Sequence, residues 1–149
     1  MTLSEIPLSG LIVGDEHHLP VRIYYEDTDF SGVVYHANYL KFFERGRSDY
    51  MRLIGVHHYE LARREAPLAF AVAHMDIRFA APVRIDEVII IKSRLIHMSG
   101  ASFTLEQSAE RNAQLCTSAT VQVACIDLKG RPKRLPKDLS EAIKSHLAS

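Results

Sequence analysis

Two aspartates separated by a single residue stand just ahead of a long helical pattern. They lie in the run YYEDTDFSGVVYHANY, which spans residues 24–39 and holds Asp27, Asp29, Gly32 and His36. The first turn of a helix carries amides without intrahelical partners and a partial positive charge, so it suits an anion or a developing oxyanion. The spacing therefore predicts a carboxylate presented by a loop close to such a helix N-terminus.

The two acids have different expected roles. Asp27 is expected to accept hydrogen bonds from local amides and so to fix the loop. Asp29 lies too far ahead of Asn38, the predicted cap of the helix, to act as a cap itself, so it is the acid available for chemistry. Gly32 fits either an unusual backbone angle in this loop or the close approach of a ligand.

A long helix is predicted from Asn38 to Gly55. Asn is a good cap residue and Gly a good C-terminal stop. The inward face is predicted from residues that recur at helical spacing, namely Leu40, Phe43, Gly46, Tyr50 and Ile54. Gly in the middle of a helix lowers its stability, so Gly46 predicts the close approach of another backbone.

The rest of the chain alternates with the period of strands. Five strands are predicted, at Leu19–Tyr25, Leu68–Ala81, Glu87–Met98, Ala101–Glu110 and Leu115–Cys125. Turns are expected at Ser99–Gly100 and near Asn112, and short helices at about 57–65 and 136–148. Residues 1–18 show little periodicity and are predicted to form a loose arm. One strand, a long helix and then four strands in sequence indicate an α+β domain with an antiparallel sheet that can wrap the helix.

Length and composition narrow the class of protein. A chain of 149 residues suffices for one domain. Lys and Arg number 18 and Asp and Glu number 18, so the formal charge is zero and predicts no nucleic-acid partner and no basic membrane-binding surface. A near-neutral surface favours self-association. We find no secretion signal and no stretch long enough to span a bilayer, which predicts a cytoplasmic protein.

The acid-loop-helix region also resembles a known family. The run EDTDxxGVVYHxxY, followed by FERGR at residues 43–47, resembles the hotdog-fold acyl-CoA thioesterases of the 4-hydroxybenzoyl-CoA thioesterase branch. Within that branch the similarity is greatest to the bacterial thioesterases associated with the Tol-Pal cluster. The resemblance implies a single hotdog domain over residues 1–149, with a five-stranded antiparallel sheet curled around the central helix. It also implies a homo-oligomer, a dimer or a homotetramer, with active sites at subunit interfaces.

The resemblance assigns roles to individual residues. The predicted catalytic set is Asp29, as general base or nucleophile, together with Tyr35 and His36, and the resemblance places His36 beside the thioester carbonyl. The amides of residues 34–36 are expected to stabilise the oxyanion, and the His36 side chain either orients water or satisfies a neighbour. The predicted substrate-binding set is Gly32, Val34, Asn38, Ser99 and Gly100, the last two forming a turn near the coenzyme A arm.

The implied substrate is a short-chain or aromatic acyl-CoA, with an acyl carrier protein as the alternative carrier. No cofactor or metal is expected, since no pair of histidines has the spacing of a zinc site. The turn at residues 98–101 lacks the arginines that some family members carry there. Contacts to the phosphates are therefore expected from a basic segment elsewhere, and the candidates are Arg63, Arg64, Lys129, Arg131, Lys133 and Arg134.

Two other functions fit the same sequence. A hotdog hydratase or dehydratase acting on an enoyl or hydroxyacyl thioester would pair an Asp with a nearby His, whereas Asp29 and His36 are seven positions apart. A non-catalytic protein that binds acyl-CoA or acyl carrier protein, or that interacts with an envelope complex, is the third reading. Asp29 argues against it, because binding alone does not require an acid beside a carbonyl-binding turn.

Overall fold

The computed structural model describes residues 2–148 and contains three helices and six strands in that range. The helices are α1 (Asn38–Leu53), α2 (His58–Leu61) and α3 (Lys137–Lys144). The strands are β1 (Leu11–Val13), β2 (Glu16–Arg22), β3 (Ala69–Phe79), β4 (Val88–Met98), β5 (Ser102–Arg111) and β6 (Gln114–Ile126). Single 3-10 turns are formed at Leu3–Glu5 and Tyr25–Asp27.

The strands form one antiparallel sheet in the order β1-β2-β4-β5-β6-β3. Alternate side chains of β4, β5 and β6 are buried, as the period of two predicted. These buried side chains pack around α1 in a single core. The predicted α+β architecture, an antiparallel sheet curled around a long central helix, is confirmed.

The number of strands and the extent of the arm were predicted wrongly. β1 lies within residues 1–18 and pairs with β2, with Leu11 opposite His18 and Val13 opposite Glu16. β2 accordingly runs from Glu16 to Arg22, several residues earlier than predicted. The alternation of three residues is too short to stand out from its surroundings, so the pattern did not reveal the sixth strand.

Helix α1 packs on the sheet through a face that matches the prediction at Phe43, Gly46 and Tyr50 but not at Leu40. Leu40 is exposed, whereas Phe42 is buried with Phe43 and Tyr50. The close approach predicted at Gly46 is confirmed, although side chains rather than backbone make it. A β-carbon at Gly46 would lie 2.8 Å from the Ile91 Cγ2 atom of β4, so only glycine fits without displacing the sheet.

The two minor helices are shorter than predicted, and the β5–β6 turn lies where it was predicted. Asn112 and Ala113 in that turn have positive φ angles of 49° and 66°. Among residues 2–148, no helix has the length and apolar character needed to cross a bilayer. Both cysteines, Cys116 and Cys125, are buried and free.

Candidate active site

The loop that carries Asp29 is a tight hairpin. Thr28 and Val34 form an antiparallel bridge, and the Asp29 amide donates to the Val33 carbonyl at 2.9 Å. The Gly32 amide donates back to the Asp29 carbonyl at 3.0 Å, and Gly32 has a φ angle of 84°. The unusual backbone angle anticipated at Gly32 is therefore confirmed, and the turn fixes the backbone of Asp29.

The Asp29 carboxylate is exposed and is held through one oxygen. Its Oδ1 atom accepts hydrogen bonds from the Ser31 amide at 2.9 Å and from the Ser31 hydroxyl at 2.5 Å. Within residues 2–148, no hydrogen-bond donor reaches the Oδ2 atom. The bond from the Ser31 hydroxyl lowers the pKa of the Asp29 carboxyl below its ordinary value, so the group stays ionised at neutral pH.

Asp27 has the structural role predicted for it. Its Oδ2 atom accepts from the Tyr24 amide at 2.8 Å, which closes the 3-10 turn before the hairpin. Its carbonyl oxygen accepts from the Tyr35 amide and from the Asn38 side-chain amide, each at 2.9 Å. Asp27 thereby ties the hairpin to the start of α1.

The amides near the helix N-terminus are not all available to a substrate. The Val34 amide donates to the Val83 carbonyl at 2.8 Å and the Tyr35 amide to that of Asp27, so the predicted participation of these two amides is wrong. In the described part of the chain, the amides of His36 and Ala37 have no acceptor. These two N–H groups form the N-terminal donor site.

Asn38 is the first residue of α1 and not its cap. The cap position belongs to Ala37, and no side chain caps the helix. The predicted capping role of Asn38 is therefore wrong, because its side chain is already used by the Asp27 carbonyl. This bond sets the angle at which the hairpin meets the helix.

The His36 imidazole lies on an exposed aromatic surface. Its ring centroid is 4.6 Å from that of Tyr35 and 6.2 Å from that of Phe79, which it meets edge-on. Both neighbours are themselves exposed. Within residues 2–148, the imidazole of this exposed residue makes no hydrogen bond.

The acid and the donor site belong to the same hairpin but do not touch. Val33 lies opposite Asp29, and His36 follows Val33 by three residues, which corresponds to at most about 10 Å of extended chain. The carboxylate and the two free amides thus lie at the two ends of residues 29–37, a short segment in which Val34 is buried.

Ser99 and Gly100 lie far from Asp29 in the same chain. The hairpin pairs with the segment just before β4, where Val33 bridges Arg84, whereas Ser99 follows the end of that strand. The length of β4 corresponds to about 33 Å. The structure therefore does not bring this turn to the acid within one protomer.

A basic side chain, that of Arg134, does lie beside the Ser99–Gly100 turn. A β-carbon on Gly100 would be 3.2 Å from Arg134 Nη1, and the Gly100 carbonyl accepts from the Leu135 amide at 2.8 Å. Arg131, also in the basic segment, is instead paired with Asp127 at 2.8 Å. Arg134 is thus the basic residue that the fold delivers to this turn.

Two contributors to the site were missed in the sequence. Ser31 is two residues from Asp29, and a serine at that spacing in a turn is a recognisable signal for a bond to the carboxylate. Phe79 carried no local signal, since it reaches His36 from the end of β3. In the described part of the chain, no group of three or more His, Cys, Asp or Glu side chains is arranged to hold a metal ion.

The chain was compared with known proteins and structures. The family model described as the thioesterase-like superfamily matches residues 24–143. The acyl-CoA thioesterase YbgC of Haemophilus influenzae is 41% identical over 124 residues, covering 83% of this chain and 90% of that protein. The acyl-CoA thioester hydrolase YbgC of Escherichia coli O6:H1 is 41% identical over 125 residues, covering 80% and 90% respectively.

The solved structures agree with this relationship. A probable thioesterase from Bartonella henselae is 44% identical, with a TM-score of 0.79 over 81% of this chain and 99% of that chain. Together with the match of the family model, which includes the Asp29 hairpin and α1, these similarities establish that the chain belongs to the thioesterase-like superfamily.

Proposed function

We propose that the protein hydrolyses acyl-CoA thioesters and that Asp29 drives the attack on the thioester carbonyl. The observation that carries the proposal is the free, exposed Oδ2 atom of an ionised carboxylate on a hairpin that leads directly to two unpaired helix N-terminal amides. Hydrolysis of a thioester requires both parts, an attacking group and a stabiliser of the oxyanion. The names of the relatives, acyl-CoA thioesterase and acyl-CoA thioester hydrolase, agree with this chemistry.

The proposed reaction can follow two routes, which share the same oxyanion stabilisation and the same leaving group. In the first, Asp29 Oδ2 takes a proton from water as the water oxygen bonds to the carbonyl carbon. In the second, Oδ2 itself bonds to that carbon, and water later cleaves the resulting anhydride. In both, the carbonyl oxygen becomes negative against the amides of His36 and Ala37, and the coenzyme A thiolate leaves with the electrons of the carbon–sulfur bond.

We propose short-chain or aromatic acyl groups as substrates. Tyr35, His36 and Phe79 form an exposed aromatic surface at the donor site, which suits a small apolar or planar group. The pantetheine arm and phosphates of coenzyme A require a longer surface with a cation. We assign that role to the Ser99–Gly100 turn and Arg134 of another copy, because these residues are too distant in the same chain.

The complete site is proposed to form between copies of the chain, in a dimer or a homotetramer. Phe30, next to Asp29, has a relative exposure of 110% and Tyr25 of 86%, so both side chains are almost entirely open to solvent in one copy. Exposed aromatic groups at this density suit a protein interface. Sedimentation velocity should therefore give an oligomer, and Phe30→Ser should weaken it.

Since acyl-CoA pools are intracellular, the proposed location is the cytoplasm.

The direct test is Asp29→Asn, assayed by release of free thiol from a panel of short-chain and aromatic acyl-CoAs. We expect loss of turnover with the fold and the oligomer retained. Asp27→Asn is the matched control, because asparagine keeps an oxygen acceptor for the Tyr24 amide and the carbonyl contacts of Asp27 are unchanged. Turnover that survives Asp29→Asn would contradict the proposal.

The same assay separates the other functions. A hydratase would change the absorbance of enoyl-CoA without releasing thiol, and a binding protein would retain a nonhydrolysable thioester analogue while releasing no thiol from any substrate. Acyl-CoA and acyl-phosphopantetheinyl carrier protein, tested at equal concentration, identify the carrier. We expect faster thiol release from acyl-CoA.

A further inference from the structure

We propose that Ser31 is the positioning residue for Asp29: it holds Oδ1 with two donors and so leaves Oδ2 as the oxygen that reacts. The inference rests on the proposed function, because it concerns how the attacking carboxylate is oriented. It adds a residue that has no place in the predicted catalytic or substrate-binding sets. The geometry of the hairpin carries it.

Both donors of Ser31 converge on the same atom. The amide and the hydroxyl lie 2.9 Å and 2.5 Å from Asp29 Oδ1, and neither contacts Oδ2. An exposed carboxylate would otherwise rotate about its side-chain bonds, since nothing packs against it. Two donors on one oxygen fix the plane of the carboxylate and distinguish its two oxygens.

The backbone of the hairpin makes this arrangement rigid. The Asp29 amide and carbonyl are both bonded within the turn, to Val33 and Gly32. The positive φ angle of Gly32 closes the turn directly after Ser31. Ser31 is therefore held in place on both sides, and its hydroxyl reaches the carboxylate without further ordering of the chain.

A purely structural role explains the amide of Ser31 but not its hydroxyl. The amide bond alone would close the local turn between Asp29 and Ser31. The segment is exposed, so the hydroxyl does not relieve any buried polar group. Within residues 2–148, the hydroxyl bonds only to the carboxylate that we propose to react, and that bond also lowers the pKa of Asp29.

The test compares Ser31→Ala and Ser31→Thr with the unchanged protein. Ser31→Ala should lower kcat by about 10-fold with little change in KM, the order expected when a reacting group loses its orientation. The acidic limb of the kcat/KM profile should move to higher pH, because the pKa of Asp29 returns toward its ordinary value. Ser31→Thr keeps the hydroxyl and should restore most of kcat and the original limb.

Ser108→Ala is the matched control, since the Ser108 hydroxyl also donates to a carboxylate two residues away, that of Glu110 at 3.2 Å. It should leave kcat and the pH profile unchanged. Circular dichroism and thermal melting confirm that each variant is folded. In the Asp29→Asn background, Ser31→Ala should have no further effect on residual turnover.

The outcomes separate this inference from the proposed function. If Asp29→Asn abolishes turnover while Ser31→Ala leaves both kcat and the acidic limb unchanged, Ser31 does not position Asp29 but the hydrolase proposal stands. If Asp29→Asn leaves turnover intact, the proposed mechanism is wrong, and the positioning role of Ser31 is wrong with it. A fall in kcat that Ser31→Thr does not rescue, with no movement of the limb, would also overturn the inference.

Discussion

Asp29 and Asp49 each accept two hydrogen bonds on a single oxygen, yet their surroundings differ completely. Asp29 receives both from one neighbour, Ser31, and is exposed. Asp49, in α1, receives a bond from the Gly10 amide at 2.8 Å and one from His17 Nε2 at 2.6 Å, with its side chain 14% exposed. These partners lie 39 and 32 residues away in the sequence.

The difference distinguishes a carboxylate available for chemistry from one used for folding. The bonds of Asp49 connect the N-terminal segment, β2 and α1, so they form only when the chain is folded. Its partner His17 is fully buried and stacks on Tyr50 with ring centroids 5.3 Å apart. The bonds of Asp29 are local, so they orient the side chain without holding distant segments together.

The largest expected effect is on catalysis by the exposed acid. Asp29→Asn should lower kcat/KM by about 10³-fold, within the range for loss of a general base, and should leave the melting temperature nearly unchanged. Steady-state kinetics and calorimetry on the same preparation measure both. A large loss of stability in this variant would mean that Asp29 also holds the fold, which would remove the contrast with Asp49.

Asp49→Ala should have the opposite effect: it should lower the stability of the fold and leave kcat unchanged. The change leaves the Gly10 and His17 donors without their acceptor, at a cost of about 3 kcal/mol in the free energy of unfolding. For a chain of this length we expect the melting temperature to fall by roughly 10 °C. The kcat of the folded protein at a lower temperature should be unchanged, and a specific loss of kcat would contradict the assignment.

Gly10→Ala should lower the free energy of unfolding by part of the amount expected for Asp49→Ala. A β-carbon at Gly10 would collide with the His18 carbonyl oxygen, so the segment must move away from β2 and its amide must leave Asp49. Loss of the Gly10 bond to Asp49 costs about 1 to 2 kcal/mol in the free energy of unfolding. Unfolding in urea measures this cost. Gly14→Ala in the open β1–β2 turn is the comparison variant: Gly14 has a positive φ angle, and a β-carbon there would contact no neighbouring atom.

The smallest effect is a dependence of stability on pH. Burial lowers the pKa of His17 from its ordinary value of 6.5, against the opposing influence of Asp49. The unfolded state therefore binds the proton more readily, so this stabilisation is complete above pH 6.5 and is lost as the pH falls toward the lower pKa of the folded state. The slope should reach at most about 1.4 kcal/mol per pH unit.

The variant His17→Gln isolates this contribution. Glutamine keeps an N–H donor for Asp49 but does not titrate, so its free energy of unfolding should vary less between pH 7 and pH 5. Asp29 should not contribute in this range, because its lowered pKa lies below its ordinary value of 3.8. An equal slope in the His17→Gln variant would assign the dependence to other groups.

The features that could be predicted are those with a local signal. The alternation in β4 to β6, the turn at Asn112 and the role of Gly46 in helix packing each depend on a few adjacent residues or on one residue type. The hairpin around Asp29 has the same character, since its bonds join residues close in sequence.

The features that escaped prediction depend on distant partners. Which amides are free at the helix N-terminus is decided by the Val83 carbonyl, which arrives from the segment after β3. The inward face of α1 is decided by where the sheet lies, and this buries Phe42 in place of Leu40. The pairing of His17 with Asp49 requires the strand and the helix to be folded together, and no spacing in the chain signals it.

The two edges of the sheet differ in how readily they can pair with another copy of the chain. On one side the three-residue β1 shields the start of β2, and Pro20 farther along that strand has no amide hydrogen to offer. On the other, β3 is eleven residues long and, within residues 2–148, pairs only with β6. If copies join through β3, a two-fold axis pairs the β3 edge of one copy with the β3 edge of the other, so neither edge stays open and pairing through β3 ends after two chains.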